Sequence, residues 1–341
     1  MKHVSRLLVL VLVLVTLFSG SALAQTDKKV IGVCMIDFTN QFYIDMMEAG
    51  DVAAVDYNVT LQWKSSDGSI ETQIAQMENF IQQKVDAIAV NPIDNDALIS
   101  VVEEAANAGI PIVVMAGLVN HEHAVNTLYN DYNDTYLIAQ LGAKLIGEEG
   151  KVVLLYGNKG NIVSDFREKG YLDAMATYPK IQVIEQPTDW DPAKGQQVMQ
   201  DLIAANPDLK LMHSVSDAVT IGAQQSIIAA GLQDVIKITS YDGNKAACEL
   251  VEKGEFYCTL LTGSKRVGYW NIKVAAKMAN GERPPEKILY LPSHLVLTDE
   301  IKVKAEEWGL LKGVSVLKPQ EAIAMGDAYQ ADLGPTSSIE W

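Results

Sequence analysis

Two spacings of apolar positions alternate along the chain from Lys29 onward. Val30–Ile36 is a continuous apolar run, the pattern of a strand covered on both faces. Phe42, Met46, Ala49, Ala53 and Tyr57 then fall on one face of a helix, and Val59–Trp63 alternates as a strand. Ile70, Ile74, Met77 and Ile81 give helical spacing again, followed by a strand at Asp86–Val90, a helix at Asp96–Ala108 and a strand at Ile110–Met115. A second series begins at Lys151–Tyr156 (strand) and Val163–Thr177 (helix). It continues through Ile181–Glu185, Pro192–Ala205, Leu211–Val215, Ala218–Ala230, Ile236–Ser240, Asn244–Lys253 and Tyr257–Leu261. Alternating strands and helices imply parallel sheets covered by helices, and two series imply two doubly wound α/β lobes.

The N-terminus sets the expected compartment. Lys2 and Arg6 precede an apolar run from Leu7 to Phe18, and Ala22-Leu23-Ala24 offers a small-residue cleavage site. This is the pattern of a secretory signal peptide over residues 1–24, and the apolar run is short for a membrane span. No cysteine stands at the cleavage site to carry a lipid, so the expected location is the periplasm. Removal of residues 1–24 leaves 317 residues and takes the formal net charge from -16 to -18, since Lys2 and Arg6 are lost with no acid. So acidic a chain argues against nucleic acid and anionic membranes as partners. Three cysteines, Cys34, Cys248 and Cys258, cannot all pair within one chain. Cys34 reads as a buried thiol, while Cys248 and Cys258 are open to either the free or the paired state. No Cys/His spacing suggests a metal, and His121-Glu122-His123 reads as a solvated loop.

In doubly wound sheets ligands bind beyond the carboxyl ends of the strands. The segments there are Asp37–Tyr43, Pro92–Asp96, Ala116-Gly117, Gly157–Asp165, Thr188–Asp191, Ser216-Asp217, Asp242–Asn244 and Thr262–Ser264. They concentrate carboxylates, amides, hydroxyls and aromatics, which the strand interiors nearly lack. Several stand in a telling order: Thr39-Asn40-Gln41-Phe42-Tyr43, Asn91-Pro92-Ile93-Asp94, Gly109-Ile110-Pro111-Ile112, Arg167-Glu168-Lys169-Gly170-Tyr171, Gln186-Pro187-Thr188-Asp189-Trp190-Asp191 and Ser240-Tyr241-Asp242-Gly243. From Lys29 to about Val296 the chain resembles periplasmic sugar-binding proteins of the ribose/galactose type, the ligand-capture subunits of ABC importers.

That resemblance implies a type I periplasmic-binding-protein fold: α/β, with two doubly wound parallel-sheet lobes joined by a three-segment hinge. Carried over, the crossings fall near Asn130-Asp131, Thr262-Gly263 and Leu291–His294. The N-terminal lobe is expected at 26–130 plus 263–292. The C-terminal lobe is expected at 131–262 plus 293–341, including a helix at Glu300–Leu311 and a tail to Trp341 beyond a minimal member. It also implies a ligand site. Asn40 is an amide that can donate and accept, and Phe42 and Tyr43 are an aromatic pair of which Tyr43 is favoured as the contact. Arg167 offers a planar fork to adjacent hydroxyls, Trp190 a stacking face, and Asp242 a carboxylate that also balances Arg167. Ser216 and Thr262 complete the set, Asp131 ties the hinge, and Asp191 caps a helix.

Ribose-type members carry an Asp-Arg pair where this chain has Ala116-Gly117, an asparagine where it has Ser216, and a glutamine where it has Thr262. These departures argue against ribose and for another monosaccharide, a polyol or a less polar guest. Asn91, Asp94, His121 and Tyr132 are local substitutes without an assigned place. The expected function is capture of a small polar ligand by hinge closure, with no cofactor, as a monomer that docks on an ABC permease or presents its ligand to a chemoreceptor. A nucleoside or signal molecule is the alternative guest. A hydrolase is disfavoured, since no G-x-S-x-G, H-E-x-x-H or phosphate loop is present. A same-fold repressor would begin with a helix-turn-helix in place of the leader.

Overall fold

A computed structural model describes residues 28–331 and 338–339. The expected leader, residues 1–24, lies outside the described residues.

The first sheet contains β1 (Lys29–Met35), β2 (Val59–Ser65), β3 (Ala87–Val90), β4 (Ile112–Val114) and β5 (Ala124–Leu128), with β11 (Ile288–Tyr290) at one edge. Its order is β11-β5-β4-β3-β1-β2 and every pairing is parallel. The second sheet, β7 (Lys180–Pro187), β6 (Glu149–Tyr156), β8 (Leu209–Ser214) and β9 (Lys237–Thr239), is parallel too. Bridges Thr239 to Cys258 and Asp242 to Leu261 extend it to β10 (Thr259–Leu261). Beyond that edge lie β12 (His294–Val296), antiparallel to β10, and β13 (Val316–Leu317), an exception to the all-parallel expectation.

Strand side chains alternate between two helical layers, as double winding requires. In β1, Ile31, Val33 and Met35 join the cluster holding α1 (Gln41–Asp56) and α9 (Ser264–Ala279). Cys34 faces the other way, toward α2 (Ile70–Gln83) and α3 (Ile99–Asn107). In β6, Val152 and Leu154 pack with α4 (Asp131–Leu145) and α5 (Ile162–Met175). Val153 and Leu155 pack with α6 (Pro192–Ala205), α7 (Asp217–Ala229) and α8 (Lys245–Glu252). The remaining helices are α10 (Asp299–Glu307) and α11 (Pro319–Asp327).

Between Lys29 and Leu317 the chain passes between the sheets three times: from β5 to α4, from β10 to α9, and from β11 to β12. β5, α4, α9 and α11 carry no counterpart among the elements read from the pattern. The helix expected at Glu300–Leu311 is shorter, ending at Glu307 before the left-handed Gly309. Asp191 caps α6 as expected, accepting from Ala193 N. The three thiols are free and buried, including Cys248 and Cys258. The end of the tail, expected with the second lobe, differs: Ser338 N donates to Tyr290 O of β11, Ser338 Oγ accepts from Tyr290 N, and Ile339 is buried in the main apolar cluster.

Helices α4 and α5 deliver the two charges of the hinge, and a glycine brings them together. A Cβ on Gly170 would sit 2.2 Å from the Tyr132 carbonyl oxygen. Gly170→Ala is expected to lower stability by about 1–3 kcal/mol, the usual effect of forcing atoms into packed space. A urea midpoint equal to wild type would show that the two helices part without strain.

Candidate functional site

Helix N-termini cluster where the two sheets face each other, and their caps place the polar groups. Asn40 caps α1: its Oδ1 accepts from Phe42 N at 2.9 Å and its Nδ2 donates across to Trp190 O at 2.9 Å. Asn161 caps α5 in the same way, accepting from Ser164 N at 3.1 Å and donating to Pro92 O at 2.7 Å. Asn95 adds two more links between the sheets, its N donating to Gly160 O at 3.2 Å and its Oδ1 accepting from Ile162 N at 2.7 Å. The two halves are therefore closed on one another. Gly160 permits the approach, since a Cβ there would lie 2.5 Å from Asp94 Oδ2.

Between the halves lies a cavity of about 40 Å³. One side is Ile36, Asn40, Phe42, Tyr43, Asn91, Ala116 and Tyr129; the other is Asn161, Val163, Arg167, Trp190, Ser216 and Asp242. At about 10–15 Å³ for each water, this closed space holds roughly three. A larger groove of about 760 Å³ runs outside it, between the starts of α1, α7, α8 and α9 and the side of α11. The smaller cavity is the candidate site, because unpartnered polar atoms collect on its wall: Asn91 Oδ1, Tyr129 OH and Trp190 Nε1, all buried. Buried polar groups normally have partners, so three orphans on one wall point to a guest that supplies them.

Of the residues expected from sequence, Asn40, Phe42, Tyr43, Arg167, Trp190, Ser216 and Asp242 meet on this wall. Tyr43 is the buried member of its pair, its ring 6.0 Å from Phe42 edge to face; burial, then Asp37 and Asp242, raises its phenol well above the ordinary value. Thr262 is off the wall. Its Oγ1 turns back to the Asp242 carbonyl at 3.3 Å, because the bridge between Asp242 and Leu261 holds that backbone against its neighbour. Asp131 is off it too, buried behind Arg167. Asn91 finds a place on the wall, anchored by Nδ2 to Met115 O at 2.8 Å. Asp94 caps a turn, His121 pairs with Glu103 and Tyr132 with Asp173, all away from the cavity. Tyr129, Asn161 and Val163 are wall residues that strand-end reasoning left without a role.

Trp190 is held in an unusual backbone. Both Asp189 and Trp190 have left-handed φ, 52° and 61°, a conformation costly for such side chains. The indole lies over Gly157, where a Cβ would come within 2.2 Å of its ring.

Arg167 is 3 % exposed. Its Nε donates to Asp131 Oδ1 at 2.8 Å, and its Nη1 to Val215 O at 2.7 Å and Asp242 Oδ1 at 3.0 Å. Its Cζ lies 3.7 Å from the centre of the Tyr241 ring. Nη2 has no partner among the described residues and is the atom left for a guest. Asp217 joins Asp242 through its backbone N–H, at 3.2 Å from Asp242 Oδ2, and accepts from Ser240, Thr259 and Asn244. Burial raises both carboxyls, and Asp217 is raised further by the Asp242 charge beside it. Asp134, bonded by Ser293 and Tyr241, is pushed by burial to about 7.

The sequence matches the periplasmic binding protein domain family over residues 31–283. The chain belongs to that family. The ribose import binding protein of Salmonella typhimurium is 26% identical over 286 residues, 80% of this chain and 95% of that protein. The xylitol-binding protein of Mycolicibacterium smegmatis is 30% identical over 267 residues, 77% of this chain and 76% of that one. Among solved structures, an ABC transporter periplasmic solute binding protein from Actinobacillus succinogenes with bound D-allose superimposes with a TM-score of 0.73 at 28% identity. That likeness covers 81% of this chain and all of the other. The expected fold class, two lobes built on parallel sheets, is the one found, and the relatives are binding proteins.

The acid cluster dictates a pH dependence. Asp134 has an ordinary value of 3.8 when unfolded and about 7 when folded, so the folded state holds its proton more tightly. Its contribution is full below pH 4 and is lost as pH rises toward 7. Asp134→Asn should therefore show a smaller loss of urea stability between pH 5 and pH 8 than wild type. An equal loss in both would remove Asp134 as a source.

Proposed function

We propose that this chain is the ligand-capture subunit of an ABC importer, exported to the periplasm, and that it closes its lobes around one uncharged monosaccharide or polyol. The lobes are 26–130 with 263–292, and 131–262 with 293–341 apart from the tail residues that return to the first. The supporting observation is the convergence of orphaned polar atoms from both halves on one cavity. Each half alone would offer a guest only part of its hydrogen bonds, and that difference in affinity is what drives a hinge to close.

The wall's charges explain why the guest is neutral. Arg167 and Asp242 are already bonded to each other, so a charged ligand would enter with no unpaired counter-ion. The remaining inventory is amide, phenol, hydroxyl and indole, which suits hydroxyl recognition beside the apolar Ile36, Ala116 and Val163. The sugars and polyols named for the relatives agree with that class. In this reading the chain acts without turnover, as a monomer whose closed form is presented to a permease, and to a chemoreceptor where one exists.

A thermal-shift screen with ribose, xylitol, D-allose and myo-inositol tests the proposal. A probe at 100 times its Kd should stabilise by about 2.7 kcal/mol, a visible rise in Tm. For that probe, Arg167→Ala should weaken binding about tenfold or more by calorimetry, the scale of one charged hydrogen bond. A protein that takes none of these or related polyols at millimolar concentration would overturn the reading.

A further inference from the structure

We propose that Tyr129 is the specificity-determining residue of the first lobe, presenting its phenol hydroxyl to one hydroxyl of the guest. This rests on the sugar- or polyol-binding reading above. The loop after β4 contributes almost nothing to the cavity. Ala116 supplies only a methyl group, and Gly117 cannot be lengthened, because a Cβ there would lie 2.6 Å from Pro92 Cγ. That loop is bonded to the end of β5, through Gly117 N to Thr127 O and Ala116 N to Thr127 Oγ1. Tyr129 follows two residues later and lines the same cavity. Its ring is 4 % exposed and its hydroxyl is buried without a partner. A phenylalanine would fill the same space without leaving a polar atom unpaired, so only a guest gives the hydroxyl a use.

The test titrates ribose, xylitol, D-allose and myo-inositol into wild type and Tyr129→Phe. A probe bound by wild type should lose about tenfold or more in affinity, the scale of one hydrogen bond to a desolvated group. The ligand-free variant should match or exceed wild type in urea stability. Equal affinity would overturn the assignment and leave the binding reading standing. Loss of affinity together with loss of ligand-free stability would mark a structural role and also overturn it. A wild type that binds no probe would overturn both.

A different observation, in the C-terminal tail, assigns a conformational role. The tail lies beyond residue 283, where the family match ends. Helix α11 is fixed to the second lobe, with Ala322 buried against Cys248, Leu261 and Val296. Tyr329, two residues after the helix ends at Asp327, is already on the first lobe. Trp270 Nε1 of α9 donates to Tyr329 O at 2.8 Å, the Tyr269 and Tyr329 rings meet at 5.7 Å, and Gln330 reaches Asp56 at 3.2 Å. Ser338 adds a second hold on the same lobe through Tyr290 of β11. One intervening residue spans too little to absorb a hinge motion, so separating α8 from α9 must strip one anchor. The tail is a strap that biases the lobes toward closure.

Truncation after Asp327 should enlarge the ligand-free radius of gyration in X-ray scattering. It should also weaken the bound probe severalfold, because less of the protein is closed in advance. Equal radii for truncated and full-length protein would overturn the role. Should truncation prevent folding, Gln330→Ala combined with Trp270→Phe carries the same comparison with the same deciding result.

Discussion

A guanidinium cannot be buried alone, and the placing of Arg167 organises both the hinge and the cavity. The several kcal/mol lost on removing such a charge from water must be offset by partners of good geometry. Those partners stand at the crossings. Asp131 opens α4 just after the first, and its carboxylate takes Arg167 Nε. Asp242 takes Nη1, while its carbonyl accepts from Thr262 N and Gly263 N at the second crossing. Tyr241 lies under the guanidinium, its single O–H shared between Asp131 and Asp134, and Asp134 accepts from Ser293 at the third crossing. One network thus joins all three strands of the hinge to the floor of the cavity. Four buried acids around it would repel each other if all were ionised. Burial raises Asp134, Asp217 and Asp242 above the ordinary carboxylate value.

Neutral amides stand on both sides of the cavity. Asn40 and Asn161 each use one amide atom to cap a helix and the other to reach the facing lobe. The same side chains that order their own lobe therefore also report whether the other lobe has arrived. Each bond that spans the lobes favours the arrangement seen here over one in which they part.

Much of this was legible because fully covered strands leave a strong apolar signature and because polar residues past their ends have few reasons to gather. Asn40, Trp190 and Asp242 stand in those strand-end segments, and their roles, with that of Arg167, were implied by the family resemblance. Helix α4 was hidden by its first turn, Asp131-Tyr132-Asn133-Asp134-Thr135, whose polar groups serve the hinge instead of solvent, and by a packing face of small residues such as Ala139, Gly142 and Ala143. Strand β5 was hidden by Asn126 and Thr127, buried polar residues whose partners include backbone atoms of β4 and the loop after it, at Val114, Ala116 and Val119. Tyr129 was invisible for the same reason: its strand was. Thr262 failed because a residue at a strand end can still be turned back by a bridge that only the fold reveals.

The indole resting on Gly157 couples two positions that lie far apart in the chain. A methyl group at 157 would evict the ring from its seat, and a smaller residue at 190 would leave a hollow above the glycine. Neither site can drift by itself without reshaping the chamber. A substitution at either position therefore needs a matching change at the other to keep the chamber's shape.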